Sequence, residues 1–309
     1  HTNNVTEFIL HGLTQDRTLA KVCSLLFLLF YTTIIFGNLL IIITIRTSDQ
    51  LNSPMYFFLS YLSFLDISYS TVSAPKLIHD LLLEEKTISF AGCMAQLFGI
   101  HFFGGTEIFL LMAMAYDRCV AICQPLHYPS PLHYPAIMSR WACWLLVSCC
   151  WAGGFLHSIT QTLLTVQLPF CGPNTINSYF CDVLPVIRLA CTDVHLTQWL
   201  MASNSGLISL GCFLVLITSY VLMLATLRGR LRRGHRKALS TCAAHAMVVT
   251  LFFAPCIFIY LRPFSTFPFD KYVCVSPTIF SPVMNPLIYT LRSNEVKESM
   301  WRLWKRCRA

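Results

Sequence analysis

Apolar residues fall along this chain in seven long runs separated by short polar stretches. The runs cover residues 22–45, 54–83, 92–122, 140–163, 195–227, 237–261 and 269–291. Each is long enough to cross about 30 Å of hydrocarbon as a helix, which takes about 20 residues at 1.5 Å each. A helix satisfies its own backbone groups in lipid, so runs of this length read as helices rather than strands. After the last run the pattern changes. Val296, Met300, Leu303 and Trp304 recur at helical spacing among polar residues. This predicts a short amphipathic helix lying on a membrane surface over residues 294–306. The expected architecture is an all-α membrane protein, a seven-transmembrane helix bundle forming one domain over residues 1–309. Residues 1–21 are its outer N-terminus, 22–291 its helices and loops, and 292–309 its inner tail. The first run is too long for a signal-peptide core, so no cleaved leader is expected.

Composition agrees with that reading: 55% of residues are hydrophobic and 12% charged, where a soluble domain carries about a quarter charged. Seven spans put the termini on opposite sides. The loops after spans one, three and five, the span ends that border them and the tail hold 15 of the 22 Lys and Arg. The positive-inside rule therefore places the N-terminus outside and the tail in the cytoplasm. The glycosylation sequon at Asn4, closed by Thr6, then lies on the outer side, as an acceptor must. The net charge of +8 belongs to this asymmetry and not to nucleic-acid binding. The basic run over residues 228–237 is part of it, suited to lipid headgroups and to an acidic partner surface. An inner loop carries a doubled hexapeptide, PLHYPS at 125–130 and PLHYPA at 131–136. Its four prolines favour extended or turn backbone. A lone Cys307 in the tail is a weak candidate for palmitoylation.

Charges inside the runs need a reason, because a charge at the bilayer centre costs several kcal/mol. Asp117 and Arg118 stand about one helix length beyond Gly92, at the far face of span three. An Arg there can snorkel to headgroups or work as a switch. Asp66 and Glu107 lie near mid-membrane with Asn38 and Asn285. They act as hydrogen-bonded glue between helices or share a proton or a cation, since two adjacent carboxylates cannot both stay ionised alone. Four outer cysteines, Cys93, Cys171, Cys181 and Cys191, allow three disulfide pairings. Helical position turns Ile100, His101, Gly104 and Gly105 of span three inward in the outer half. His157 and Gln161 of span four, Asn204 and Ile208 of span five, Cys256, Ile257 and Tyr260 of span six, and Val275 and Thr278 of span seven face them. Such apolar walls with few polar groups suit a small volatile of low polarity. The two glycines make room for it or let helices pack closely. No zinc-finger spacing and no intramembrane catalytic motif is present, so no enzyme is expected. A transporter would favour matching halves with broken helices, which the chain lacks.

Four motifs, in order, carry a resemblance. They are PMYFFL at 54–59, MAYDRCVAIC at 114–123, KALSTC at 237–242 with His245, and PVMNPLIY at 282–289. Together they resemble vertebrate olfactory receptors, rhodopsin-like G-protein-coupled receptors. The stretch HFFGGTE at 101–107 and the outer loop look most like class II, family four. Cys119 stands where that family usually has Tyr, Phe253-Ala254 where it has Tyr-Gly, and the doubled hexapeptide adds six residues. The resemblance implies an odorant receptor of the plasma membrane that activates a stimulatory G protein and raises cAMP. It implies disulfides Cys93–Cys181 and Cys171–Cys191, and a latch in which Arg118, held by Asp117, faces Tyr220, His245 and Tyr289. It also implies a sodium pocket at Asp66, Glu107 and Asn285, with no other cofactor. Phe253 is expected beneath the ligand, and the Tyr260 position is expected to touch it. A non-olfactory chemosensory receptor of the same fold remains the alternative.

Overall fold

A computed structural model describes residues 5–127, 137–228, 233–262, 264–265 and 267–308. Asn4, most of the doubled hexapeptide and residues 229–232 of the basic run lie outside the described residues, as do the side chains of Tyr289 and Cys307.

Helix α1 (Arg17–Thr47) starts five residues before the apolar run, because Asp16 caps it by accepting from the backbone N–H of Thr18 and Leu19 at 2.8 and 2.9 Å. Helix α2 (Pro54–Asp80) opens with proline at its first position, where no N–H is required. Helix α3 (Phe90–His127) follows the strand β2 (Thr87–Ser89) without a break. Helix α4 (Arg140–Val166) is capped by Ser139. The outer loop after it contains β3 (Thr175–Ile176) and the short helix α5 (Val183–Ile187). The fifth run is α6 (His195–Met201), a π-helical segment (Ala202–Leu207) and α7 (Ile208–Arg228). Helix α8 is Arg233–Tyr260. The seventh run is α9 (Asp270–Val273), a second π segment (Ser276–Phe280) and α10 (Ser281–Arg292). Helix α11 (Asn294–Arg308) forms the tail. Among the described residues, Arg17–Thr47, Phe90–Ala121, Arg140–Val166 and His195–Ala225 are long and apolar enough to cross a membrane, and His245–Tyr260 is a shorter apolar helix.

Helices α3 and α4 meet closely at Gly154. A Cβ there would fall 2.1 Å from the Thr106 hydroxyl and 2.8 Å from its backbone nitrogen, so the contact admits only glycine. Pro75, Pro255 and Pro286 lie inside helices, where a proline leaves the carbonyl four residues back without its usual donor. Pro255 frees Leu251, and the Ser276 hydroxyl donates to that carbonyl at 3.0 Å. Pro286 frees Pro282, and the Asn38 amide donates to it at 3.3 Å. The carbonyls freed by Pro255 and Pro286 are thus both answered from a neighbouring helix, as lipid demands.

The expectation of an all-α fold needs one correction. Residues Glu7–Leu10 form strand β1, antiparallel to β2 and parallel to β3, in a sheet of order β2-β1-β3. Phe8 and Leu10 alternate inward with outward Glu7 and Ile9. Gly12 follows at φ 68°, a left-handed turn that glycine adopts without strain, and its carbonyl accepts from Lys271 at 2.9 Å.

Candidate functional site

The three-stranded sheet and the loop after α4 form a lid. The disulfide Cys93–Cys181 ties the start of α3 to the loop, and Cys171–Cys191 closes the loop on itself. The Tyr179 hydroxyl shares a 2.8 Å hydrogen bond with that of Thr278. Burial pushes the Tyr179 phenol well above its usual range, so it stays neutral.

Under the lid lies a small cavity of about 40 Å³. From α3 it is lined by Ile100, His101, Gly104, Gly105 and Ile108, from α2 by Tyr69 and from α4 by His157. Helix α8 adds Phe252, Cys256, Ile259 and Tyr260, and the seventh run adds Cys274, Pro277 and Thr278. Phe180 of the loop, Ser205 of the first π segment and Ser209 of α7 complete it. Both glycines of α3 border the open space. A Cβ on Gly105 would meet the His157 ring at 3.0 Å, and one on Gly104 would meet Tyr69 at 3.4 Å. The wall is mostly apolar and aromatic, with imidazole, hydroxyl and thiol groups spaced around it. Such a wall can hold a small neutral molecule and fix its orientation by a few hydrogen bonds.

Five expected lining residues stand elsewhere. Asn204 and Ile208 give way to their successors Ser205 and Ser209, because a π turn inserts an extra residue and rotates the facing positions by about one. Asn204 donates to the His157 carbonyl at 3.3 Å instead. Gln161 lies behind the wall, fully buried, and donates to the Ser205 hydroxyl. Val275 yields to Cys274 just before the second π segment, and Ile257 to Ile259 on α8. Phe253 also misses the cavity. It is fully buried against Phe213, with ring centroids 5.9 Å apart, while Phe252 takes the lining position.

The roof of the cavity holds an acid that the sequence did not single out. Asp182 is 2% exposed. The Tyr260 hydroxyl lies 3.0 Å from each of its oxygens, His101 Nε2 lies 3.2 Å from Oδ1, and the backbone N–H of Val183 donates at 2.7 Å. An acid just after the lid cysteine Cys181 and just before a short apolar helix is the available signal, that of a helix cap.

Below the cavity sits a second polar cluster. The Asn285 amide donates to both oxygens of Asp66 at 2.9 and 3.0 Å. Glu107 is within electrostatic reach of Asp66, and of Tyr69 and Cys256 on the cavity wall. Among the described residues both Glu107 oxygens lack a hydrogen-bond partner, as do Oδ1 of Asn38 and of Asn285 and the Ser281 hydroxyl. No group of three or more His, Cys, Asp or Glu arranged to hold a metal occurs among the described residues.

At the inner end of α3, Arg118 donates to Asp117 Oδ2 through Nε at 2.9 Å and a terminal nitrogen at 2.5 Å. Asp117 is fully buried and Arg118 partly so. Tyr220 of α7 and His245 of α8 share a short hydrogen bond through Nδ1, with Arg118 close enough to His245 to interact electrostatically. The structure thus brings Asp117, Arg118, Tyr220 and His245 to one level of the bundle. Tyr289 is on α10, with its side chain outside the described residues.

Comparison with known proteins gives a consistent answer. Residues 27–306 match the family described as olfactory receptor. The human olfactory receptor 4S2 is 56% identical over 304 residues, covering 98% of this chain and 96% of that protein. The mouse olfactory receptor 4E2 is 55% identical over 302 residues, covering 98% and 96%. The human olfactory receptor 4Q2 is 55% identical over 307 residues, covering 99% and 95%.

Proposed function

The chain belongs to the olfactory receptor family, and we propose that its odorant is a small hydrophobic volatile bound in the cavity beneath the disulfide-pinned lid. The protein is a receptor and not an enzyme, and its apolar helices make it a multi-pass membrane protein. In the proposed arrangement seven spans cross the plasma membrane, with the N-terminus outside and α11 on the cytoplasmic surface. The observation that carries the reading is the position of the cavity. Its walls come from α2, α3, α4, α7, α8 and the seventh run, so a molecule inside it contacts α3, α7 and α8, which carry Arg118, Tyr220 and His245 at their other ends.

The mechanism is a shift between two packings. A ligand that binds one packing better raises the population of that packing by its differential affinity. Helix α3 spans the distance from the cavity at Gly104 and Gly105, past Glu107, to Arg118. Helix α8 runs from Tyr260 and Cys256 down to His245. The ligand draws the outer ends of these helices together. The inner end of α8 moves outward, Arg118 leaves Asp117, and a stimulatory G protein binds the opened face. The residues of the mid-helix cluster fit a sodium ion in the resting packing. Glu107, Asn285 and Asn38 offer oxygen atoms without partners, and a hard cation prefers oxygen. The ion would hold α2, α3 and α10 together by charge neutralisation.

The test is an odorant panel applied to cells expressing the chain, with cAMP as readout. At least one hydrophobic volatile should raise cAMP, and Gly105→Phe, which fills the cavity, should remove that response at unchanged surface expression. Arg118→Ala should abolish cAMP output while the receptor still reaches the surface. Retained signalling in that variant sinks the latch role.

A further inference from the structure

A crevice at the opposite end of the molecule from the cavity has no part in odorant binding. It lies where α1 ends and α2 and α4 begin, with a volume of about 290 Å³. Arg46 and Arg140 line it, and no acidic residue does so among the described residues. Among the described residues neither arginine makes a hydrogen bond or salt bridge. The inner wall is apolar and aromatic, including Phe57 and Trp144, whose ring centroids lie 5.2 Å apart. Asn52 and Ser53 also line it, and among the described residues no side chain caps the amino end of α2 that Ser53 precedes. Trp141 and Trp144 are 73% and 52% exposed on the adjoining face of α4, the placement of tryptophan at a membrane–water boundary.

We propose that this crevice binds an anionic phospholipid, its phosphate between Arg46 and Arg140 and its glycerol and upper acyl chains against Phe57 and Trp144. Each part of the lining selects for that occupant. Two arginines without acids attract a phosphate and can each engage it through paired N–H groups. The uncapped end of α2 adds backbone donors to the same place. A free phosphate would use the charge and leave the aromatic wall wet. A zwitterionic lipid would fill the wall but bring its own cation to two others. Only a lipid with net negative charge uses both. The cytoplasmic leaflet is the one that supplies such lipids, so the choice of leaflet rests on the orientation proposed above.

The test uses purified full-length receptor in detergent with phosphatidylinositol 4-phosphate or phosphatidylcholine, and native mass spectrometry counts bound lipid. The wild type should retain the anionic lipid preferentially. The double variant Arg46→Gln/Arg140→Gln should bind it about 30-fold more weakly, from the contribution of two basic residues near a lipid headgroup. Arg46→Lys/Arg140→Lys should keep most of the binding. Soluble inositol phosphate at equal concentration should not displace the lipid. Equal retention by the Gln variant, equal retention of phosphatidylcholine, or full displacement by soluble inositol phosphate overturns the proposal. The binding assay is independent of orientation in a cell. Antibody access to tags at each terminus of intact cells tests orientation separately, and the odorant panel tests receptor activity separately.

Discussion

Asp182 and Glu107 are both shut away from solvent, at 2% and 0% exposure, yet they are held in opposite ways. Asp182 is approached by Tyr260, His101 and the Val183 N–H, from three different segments. Glu107 receives no hydrogen bond on either oxygen. A buried acid without partners is costly, and a buried acid with a full set of donors becomes costly to remove. The difference separates two kinds of polar group in one bundle. The upper acid joins α3, α8 and the lid into a closed lattice that gives the cavity its roof. The lower acid leaves its capacity open, so its energy depends on what enters, a proton or a cation. One cluster resists change, and the other can change with the packing around it.

The largest effect expected from this contrast is on stability. Asp182→Ala strands His101, Tyr260 and the Val183 N–H at once, and should cost about 3–5 kcal/mol, read as a large fall in the melting temperature of the purified receptor. A melting temperature equal to wild type erases the distinction between the two acids. Tyr260→Phe removes only one donor of the set. It should cost about 1–2 kcal/mol and lower odorant potency several-fold, since Tyr260 also borders the cavity. Glu107→Gln should be smallest in stability, within about 1 kcal/mol of wild type in either direction. It should instead remove the sodium dependence of basal cAMP output. A melting temperature that collapses in this variant would show that Glu107 is bound into the packing as firmly as Asp182, and a sodium dependence that survives would remove the ion from the mid-helix cluster.

Much of the fold was legible because helix length and apolar run length are tied together by the bilayer. Hydrophobic runs located the helices, and family motifs placed the two disulfides, which the structure forms as the resemblance implied. The cavity was legible only in part. Ile100, His101, Gly104, Gly105, His157, Cys256, Tyr260 and Thr278 line it, because regular helices keep a constant period. The misses at Asn204, Ile208 and Val275 lie inside or beside π segments, where the period changes by one residue. The small polar run Ser203 to Gly206 was the available warning. Strand β1 was missed because four residues are too few for alternation to stand out from a polar terminus. Asp182 was missed because its partners are remote in sequence, 81 residues away at His101 and 78 at Tyr260.

Strand β1 lies between β2 and β3 in the outer sheet, and this position has a consequence for assembly. Its partners Thr87–Ser89 and Thr175–Ile176 are synthesised long after it. Strand β1 therefore meets β2 only after the two helices between them, and completes its ladder only once Thr175 and Ile176 follow. Contacts of such long range close late in folding. The lid is therefore joined from three distant stretches of chain, and the strand at its centre stays unpaired on one side until the loop after α4 has been made.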